Sequence, residues 1–273
     1  MTERDQIERD PTAAVKPLRL LCLGSSDAFN SGGRANSCYW IDDADGSYLI
    51  DCGPTTTQAL KRESHQLSLD TLDTIYVTHL HGDHINGLPV LLLELNFGQK
   101  RQRPLKIIGP PTTRARVETL CEVSYPTMLS ALISYKIEFQ EHPLDYEGML
   151  GRRQLKSITA LHDPAAYPTS LRISDSTGRS LVFSGDTGWN PKLIDLSAEV
   201  DVFVLECSYA TSVFSGHVSL DEIIKVRSRL TPTRLILTHL GVESRAAALN
   251  VQDDLNVDVA DDGAHWFIEP MVS

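Results

Sequence analysis

Thr78-His79-Leu80-His81-Gly82-Asp83-His84 sets three imidazoles and one carboxylate within six positions, directly after the largely apolar run 72–77. These are ligands that zinc, manganese and iron favour, and four of them on one short turn repel and desolvate badly without a cation between them. A strand over 73–78 alternates sides with period two, so His79 and His81 project to the same side at its end, and Gly82 lets the chain turn. Asp83 and His84 then face a second cation close to the first. The bland alternative is a set of surface histidines on a loop, but chance seldom yields H-x-H-x-D-H after a strand.

The rest of the composition suits an ordinary globular enzyme. A chain of 273 residues is long enough to bury a core as one large or two small domains, and 41% hydrophobic with 22% charged residues is unexceptional. The longest apolar run, 88–93, is far short of the ~20 residues that cross a bilayer, so no membrane span is expected. A net charge of −11 opposes casual binding to polyanions. Two basic clusters, Lys100/Arg101/Arg103/Lys106 and Arg152/Arg153/Lys156, read as solvated faces rather than nucleic-acid patches. Residues 1–17 read as a loose polar tail on a cytoplasmic protein, with 18–273 as a single domain. The cysteines are scattered, five in number and set in apolar runs, which suits buried reduced thiols.

Outward from the histidine turn, strands are expected over 37–42, 47–51, 105–109, 134–139, 155–162, 171–174, 180–184, 202–205 and 234–237, with an edge strand over 265–270. Helices are expected over 55–61, 85–95, 112–123 and 219–230. Thr112 or Thr113 would cap the third helix; Ser219 with Glu222 forms a capping box for the last. The glycine loops 24–27 and 31–34 read as tight turns more readily than as a phosphate cradle, because neither has P-loop or dinucleotide spacing. Asp51, at the inner end of its strand, can cap the helix that follows, accept from a metal-bound histidine, or do both.

Metal-capable residues recur at the ends of apolar strands: His79, His81, Asp83, His84, His162, Asp186 and His239. Through 24–27, 49–53, 78–84, 184–187 and 237–239, residues 18–270 resemble the metallo-β-lactamase-fold hydrolases. The likeness is to the branch of tRNA 3′-processing endonucleases and small phosphodiesterases. That resemblance implies an α/β fold, a four-layer αββα sandwich, with two divalent metal ions. Zinc is the expected cation, with manganese and iron as alternatives. By motif, His79, His81 and His162 would bind one metal, Asp83, His84 and His239 the other, and Asp186 would bridge them.

Glu206 and His217 match the pair with which that branch is thought to protonate its leaving oxygen, so they join Asp83 as catalytic candidates. The branch often forms homodimers, and a homodimer is expected here on that ground. Its endonucleases carry a long tRNA-gripping arm between the metal-binding His and the bridging Asp. Here His162 and Asp186 are 24 positions apart (186 − 162), which leaves no room for one. The expectation is therefore a metal-dependent phosphodiesterase acting on a small phosphodiester such as a cyclic nucleotide, with a nucleic-acid substrate disfavoured. Lactonase- or thioesterase-like acyl hydrolysis, an arm-less RNA endonuclease and an idle nucleotide-sensing module are the competing readings.

Overall fold

Leu18, Leu20 and Cys22 pack on one side of the first strand, Leu21 and Leu23 on the other, and all five are buried. A strand apolar on both faces needs a layer on each side. The computed structural model, which describes residues 17–268, supplies those layers. The tail expected over 1–17, except Pro17, and the end of the strand expected over 265–270 lie outside the described residues.

The first sheet contains β1 (Leu18–Gly24), β2 (Cys38–Asp43), β3 (Gly46–Ile50), β4 (Leu72–Tyr76), β5 (Leu105–Gly109) and β6 (Ile137–Glu141) in that order. The second runs from β7 (Tyr146–Leu150) through β8 (Arg153–Thr159), β9 (Thr169–Ser174), β10 (Ser180–Phe183), β11 (Val202–Glu206) and β12 (Arg234–Thr238) to β13 (Asp258–Val259). The last strand, β14 (His265–Ile268), returns to pair antiparallel with β1.

Outside the first sheet, Leu21, Leu49, Ile75 and Ile107 pack under α1 (Thr56–Arg62), α2 (Gly82–Ile85), α3 (Leu88–Leu93) and α4 (Thr113–Ser124). Between the sheets, Leu20, Tyr39 and Tyr76 share a core with Leu171, Phe183 and Val204. Outside the second, Val182, Phe203 and Leu235 pack with residues of α5 (Lys192–Leu196), α6 (Leu220–Val226) and α7 (Val242–Leu255). The result is the four-layer αββα sandwich. Among the described residues no helix is long and apolar enough to cross a membrane, and all five cysteines are buried and free.

Strand direction brings the polar loops together. β3 is parallel to β4, and β10, β11 and β12 are mutually parallel, so each group delivers its following residues to one edge. β8 runs with β10, because both are antiparallel to β9.

Several local expectations are corrected. The helix expected over 85–95 breaks at Gly87, whose amide donates to Cys52 O at 2.9 Å and where an added Cβ would lie 2.0 Å from Gly53 O. It resumes as α3 and ends in a π-helical turn, Glu94–Gly98. α4 is capped neither by Thr112 nor by Thr113: Glu141 accepts from the Thr112 and Arg114 amides at 3.1 and 2.9 Å. The expected helix over 219–230 starts with its capping box but is α-helical only to Val226. α5, α7, β7 and β13 were not foreseen. Nor are both basic clusters solvated. Arg101 and Arg153 are buried, Arg101 donating to the Arg103, Leu72 and Pro104 carbonyls and Arg153 to Asp43 and Asp73.

Candidate metal centre and active site

Asp51 organises the first half of the site. Standing at a left-handed φ of 60°, it accepts from the Thr78 amide and hydroxyl, both at 2.8 Å, and from His84 Nδ1 at 2.7 Å. It does not cap α1, whose first turn begins at Thr55 without a side-chain cap. Of its two expected roles, it takes the one that orients an imidazole. With Nδ1 engaged, His84 Nε2 lies 3.1 Å from Asp83 Oδ2 and 3.3 Å from Asp186 Oδ1. His79 Nε2 lies 3.7 Å from Asp186 Oδ2.

The second half arrives on separate loops. β8 ends at Thr159, three residues before His162, and the intervening loop is pinned where the Leu161 amide donates to Thr187 Oγ1 at 2.9 Å. His162 Nδ1 donates to Gly216 O at 2.8 Å, which in the neutral ring leaves Nε2 as an acceptor, 3.0 Å from His81 Nδ1. His239, at a left-handed φ of 53°, sets Nε2 at 3.4 Å from both Asp83 Oδ2 and Asp186 Oδ2.

All seven expected ligands therefore converge. Donor atoms of His79, His81 and His162 lie within 4.8 Å of one another, as do those of Asp83, His84, Asp186 and His239. Asp186 also reaches to 4.0 Å from His162, so it stands between the groups.

Whether a metal fits is decided by atoms left without partners. His79 Nε2 and His84 Nε2 are fully buried and make no hydrogen bond, and of the buried side-chain atoms left so among the described residues they are the two that belong to the cluster. Both lie beside carboxylates, in a nitrogen and oxygen donor set suited to a divalent cation. The electrostatics agree. Burial opposes charge on His84 and His239, but Asp186 and Asp83 outweigh it: His84 titrates well above the ordinary imidazole range and His239 is pushed up to about 9. Burial likewise opposes ionisation of Asp83 and Asp186, yet the surrounding imidazoles hold both carboxyls well below the usual range. Burial and the neighbouring His84 push His79 well down. The cluster attracts positive charge, and protons and cations compete for the same nitrogen atoms.

Beside it stand Glu206 and His217. The buried Glu206 accepts from the Thr187 amide at 2.6 Å and from His217 Nδ1 at 2.9 Å. Burial works against the imidazolium, but the hydrogen bond and charge of Glu206 prevail, so His217 keeps its proton to a higher pH than a free histidine. Two neighbours escaped the sequence reading. Ser208 Oγ donates to Glu206 Oε2 at 2.7 Å and stands 2.9 Å from His239 Nδ1, joining the Glu206–His217 pair to a candidate ligand. Asp163 Oδ2 lies 3.3 Å from His81 Nε2. Each is a polar neighbour of a residue already singled out, which was the available signal.

Residues 18–262 match the family described as Anti-Pycsar protein Apyc1. The chain belongs to that family. It is similar to ribonuclease Z of Halalkalibacterium halodurans, with 28% identity over 71% of this chain and 77% of the relative. Its fold is shared by the short form of human tRNase Z, with a TM-score of 0.73, 22% identity and coverage of 92% of this chain and 100% of that one. Zinc-bound PqqB from Methylobacterium extorquens is similar at a TM-score of 0.68 and 16% identity, over 91% and 99% of the two chains. The chain is a metal-dependent hydrolase of the metallo-β-lactamase fold, related to ribonuclease Z.

Proposed function

We propose that the chain hydrolyses a small phosphodiester, such as a cyclic nucleotide, at a dinuclear metal centre. One observation carries the reading: the buried Glu206 carboxylate accepts from His217 Nδ1 beside the ligand cluster, which favours the protonated form of that imidazole. His79, His81 and His162 would hold one cation and Asp83, His84 and His239 the other, with Asp186 between them. Zinc is the cation we assign. Such cations supply Lewis acidity, which acidifies water and neutralises charge growing on phosphoryl oxygens.

The chain supplies orientation and the proton. Asp51 fixes the His84 ring, and the Gly216 carbonyl fixes that of His162. As the bond from water oxygen to phosphorus forms and the bond to the leaving oxygen breaks, His217 Nε2 gives its proton to that oxygen. Glu206 stabilises the cation beforehand, and the proton released by the attacking water restores it.

A small substrate is favoured by what the site lacks. Between His162 and Asp186 the chain has room only for a 3-10 turn and the β9–β10 hairpin. The cavity over the cluster is lined by no lysine or arginine among the described residues.

The decisive measurement is metal content together with turnover of bis-p-nitrophenyl phosphate, p-nitrophenyl phosphate and a lactone, in wild type and His217→Ala. We expect about two cations per chain and phosphodiester turnover that falls about 10²-fold or more in the variant at unchanged metal content. Lactone turnover that exceeds phosphodiester turnover and ignores His217 would overturn the reading.

A further inference from the structure

The glycine-flanked loop after β1 plays no part in the chemistry above, yet it reaches the site. An open cavity of about 490 Å³ lies over the metal-binding cluster, a size suited to a small organic ligand. His81, Asp83, His162, His217 and His239 form part of its wall, and Phe29, Phe214 and Val242 line it as well. A nucleic-acid strand draws its affinity from cations placed along its phosphates, and this wall offers it none. What the wall offers is aromatic surface, with Phe29 87% and Phe214 53% exposed.

Both rings sit on built supports. Asp27 Oδ1 accepts from the Phe29 and Ser31 amides at 3.1 and 3.2 Å, and Asp27 Oδ2 accepts from the Ser31 hydroxyl at 2.7 Å. Those amides are therefore committed to a side chain of the loop itself and are not free to cradle a phosphate; the loop is a turn that presents Phe29. The Phe214 ring lies against the backbone of Gly216, where an added Cβ would stand 2.6 Å from Phe214 Cε1, and its centroid is 5.8 Å from that of His217. An exposed aromatic on a hydrogen-bonded turn, and another fixed beside the acid, forgo the gain of burial within the chain. A ligand with a flat face would supply it.

We infer that Phe29 and Phe214 form a shelf on which the base of a mononucleotide stacks while its phosphodiester lies at the metal-binding cluster. The inference rests on the phosphodiesterase reading and deepens it. Stacking of one base on an aromatic side chain is worth enough to change affinity about tenfold or more.

The test titrates zinc-loaded protein with a nucleoside 5′-monophosphate and with ribose 5-phosphate by calorimetry, and compares KM for a cyclic nucleotide with that for the base-free ribose cyclic phosphate. In the wild type the base-bearing ligand should bind about tenfold or more tighter than its base-free counterpart. Phe29→Ala and Phe214→Ala should each reduce that ratio several-fold, the double variant should bring it near one, and Phe29→Tyr should keep it. A wild-type ratio near one, or a ratio untouched by both alanine substitutions, would overturn the shelf. Absence of phosphodiester turnover in the wild type would instead remove the reading on which it rests, so the two failures are distinguishable.

Discussion

β3, β4 and β8 each start at one buried charged cluster and lead into another. At their starts Arg153 donates in a fork to Asp43, at 2.7 and 2.9 Å, and to Asp73 at 3.2 Å, with its guanidinium 4.2 Å over the Tyr48 ring. Beyond their far ends lie Asp51, His79 and His162, where Asp83 and Asp186 face imidazoles and each other and where two buried ring nitrogens lack a hydrogen bond. A buried carboxylate needs a cation or a full set of donors. At the Arg153 end the chain brings its own cation. At the far end it brings nitrogen and oxygen donors with no side-chain cation of Lys or Arg type among the groups that could hold a metal ion, and this difference in charge balance separates the two clusters of a single molecule.

The comparison breaks first at Arg153. Replacing it by Met strands two carboxylates on the inner side of the sandwich, and removing one partner of a buried pair lowers stability by about 3–5 kcal/mol. Urea unfolding should report a loss of that size, equal with zinc and with chelator, because this end holds none of the proposed metal ligands. A loss below about 1 kcal/mol, the size of an exposed pair, would put the network on a par with surface ion pairs.

The far end should respond in the opposite manner. Zinc at about a hundred times its dissociation constant should stabilise the fold by about 3 kcal/mol, lost on chelation. Asp186→Asn should abolish most of that increment, since Asp186 stands between both groups of ligands. Thermal unfolding of both proteins with and without chelator decides it: an Asp186→Asn variant that keeps the full zinc-dependent shift would mean that the cluster is not the metal centre.

How much of this was readable in the sequence depends on how local each feature is. The histidine turn was readable because its groups are contiguous and follow a strand, so one period-two argument places them. Asp186, Glu206 and His239 were readable as polar residues ending apolar runs. The Arg153 network was misread as a solvated face, because a cluster of basic residues does not reveal that Asp43 and Asp73, more than 75 positions away, will cover one of them. α7 was missed because it buries only Ser244 and Ala248, and small residues leave a faint apolar period. The break at Gly87 depends on contact with the loop after β3, again a tertiary fact. Phe29 and Phe214 carry no periodic signal at all; only their shared cavity connects them.

Ser208 offers the smallest effect and the finest test of the comparison, since its hydroxyl is where the proposed acid pair and the proposed ligand cluster meet. Its proton goes to Glu206 Oε2, and its oxygen is placed to accept from His239 Nδ1, so one hydroxyl aims a carboxylate and an imidazole together. Ser208→Ala removes about one net hydrogen bond, on the order of 1 kcal/mol, and kcat should fall about fivefold. If the hydroxyl orients both groups, the loss lies in kcat while KM and zinc content stay put, and Ser208→Thr restores most of the rate because it returns the oxygen. Should alanine lower zinc content instead, Ser208 belongs to the metal centre alone; should threonine fail to rescue a folded protein, the hydroxyl is not what the site requires.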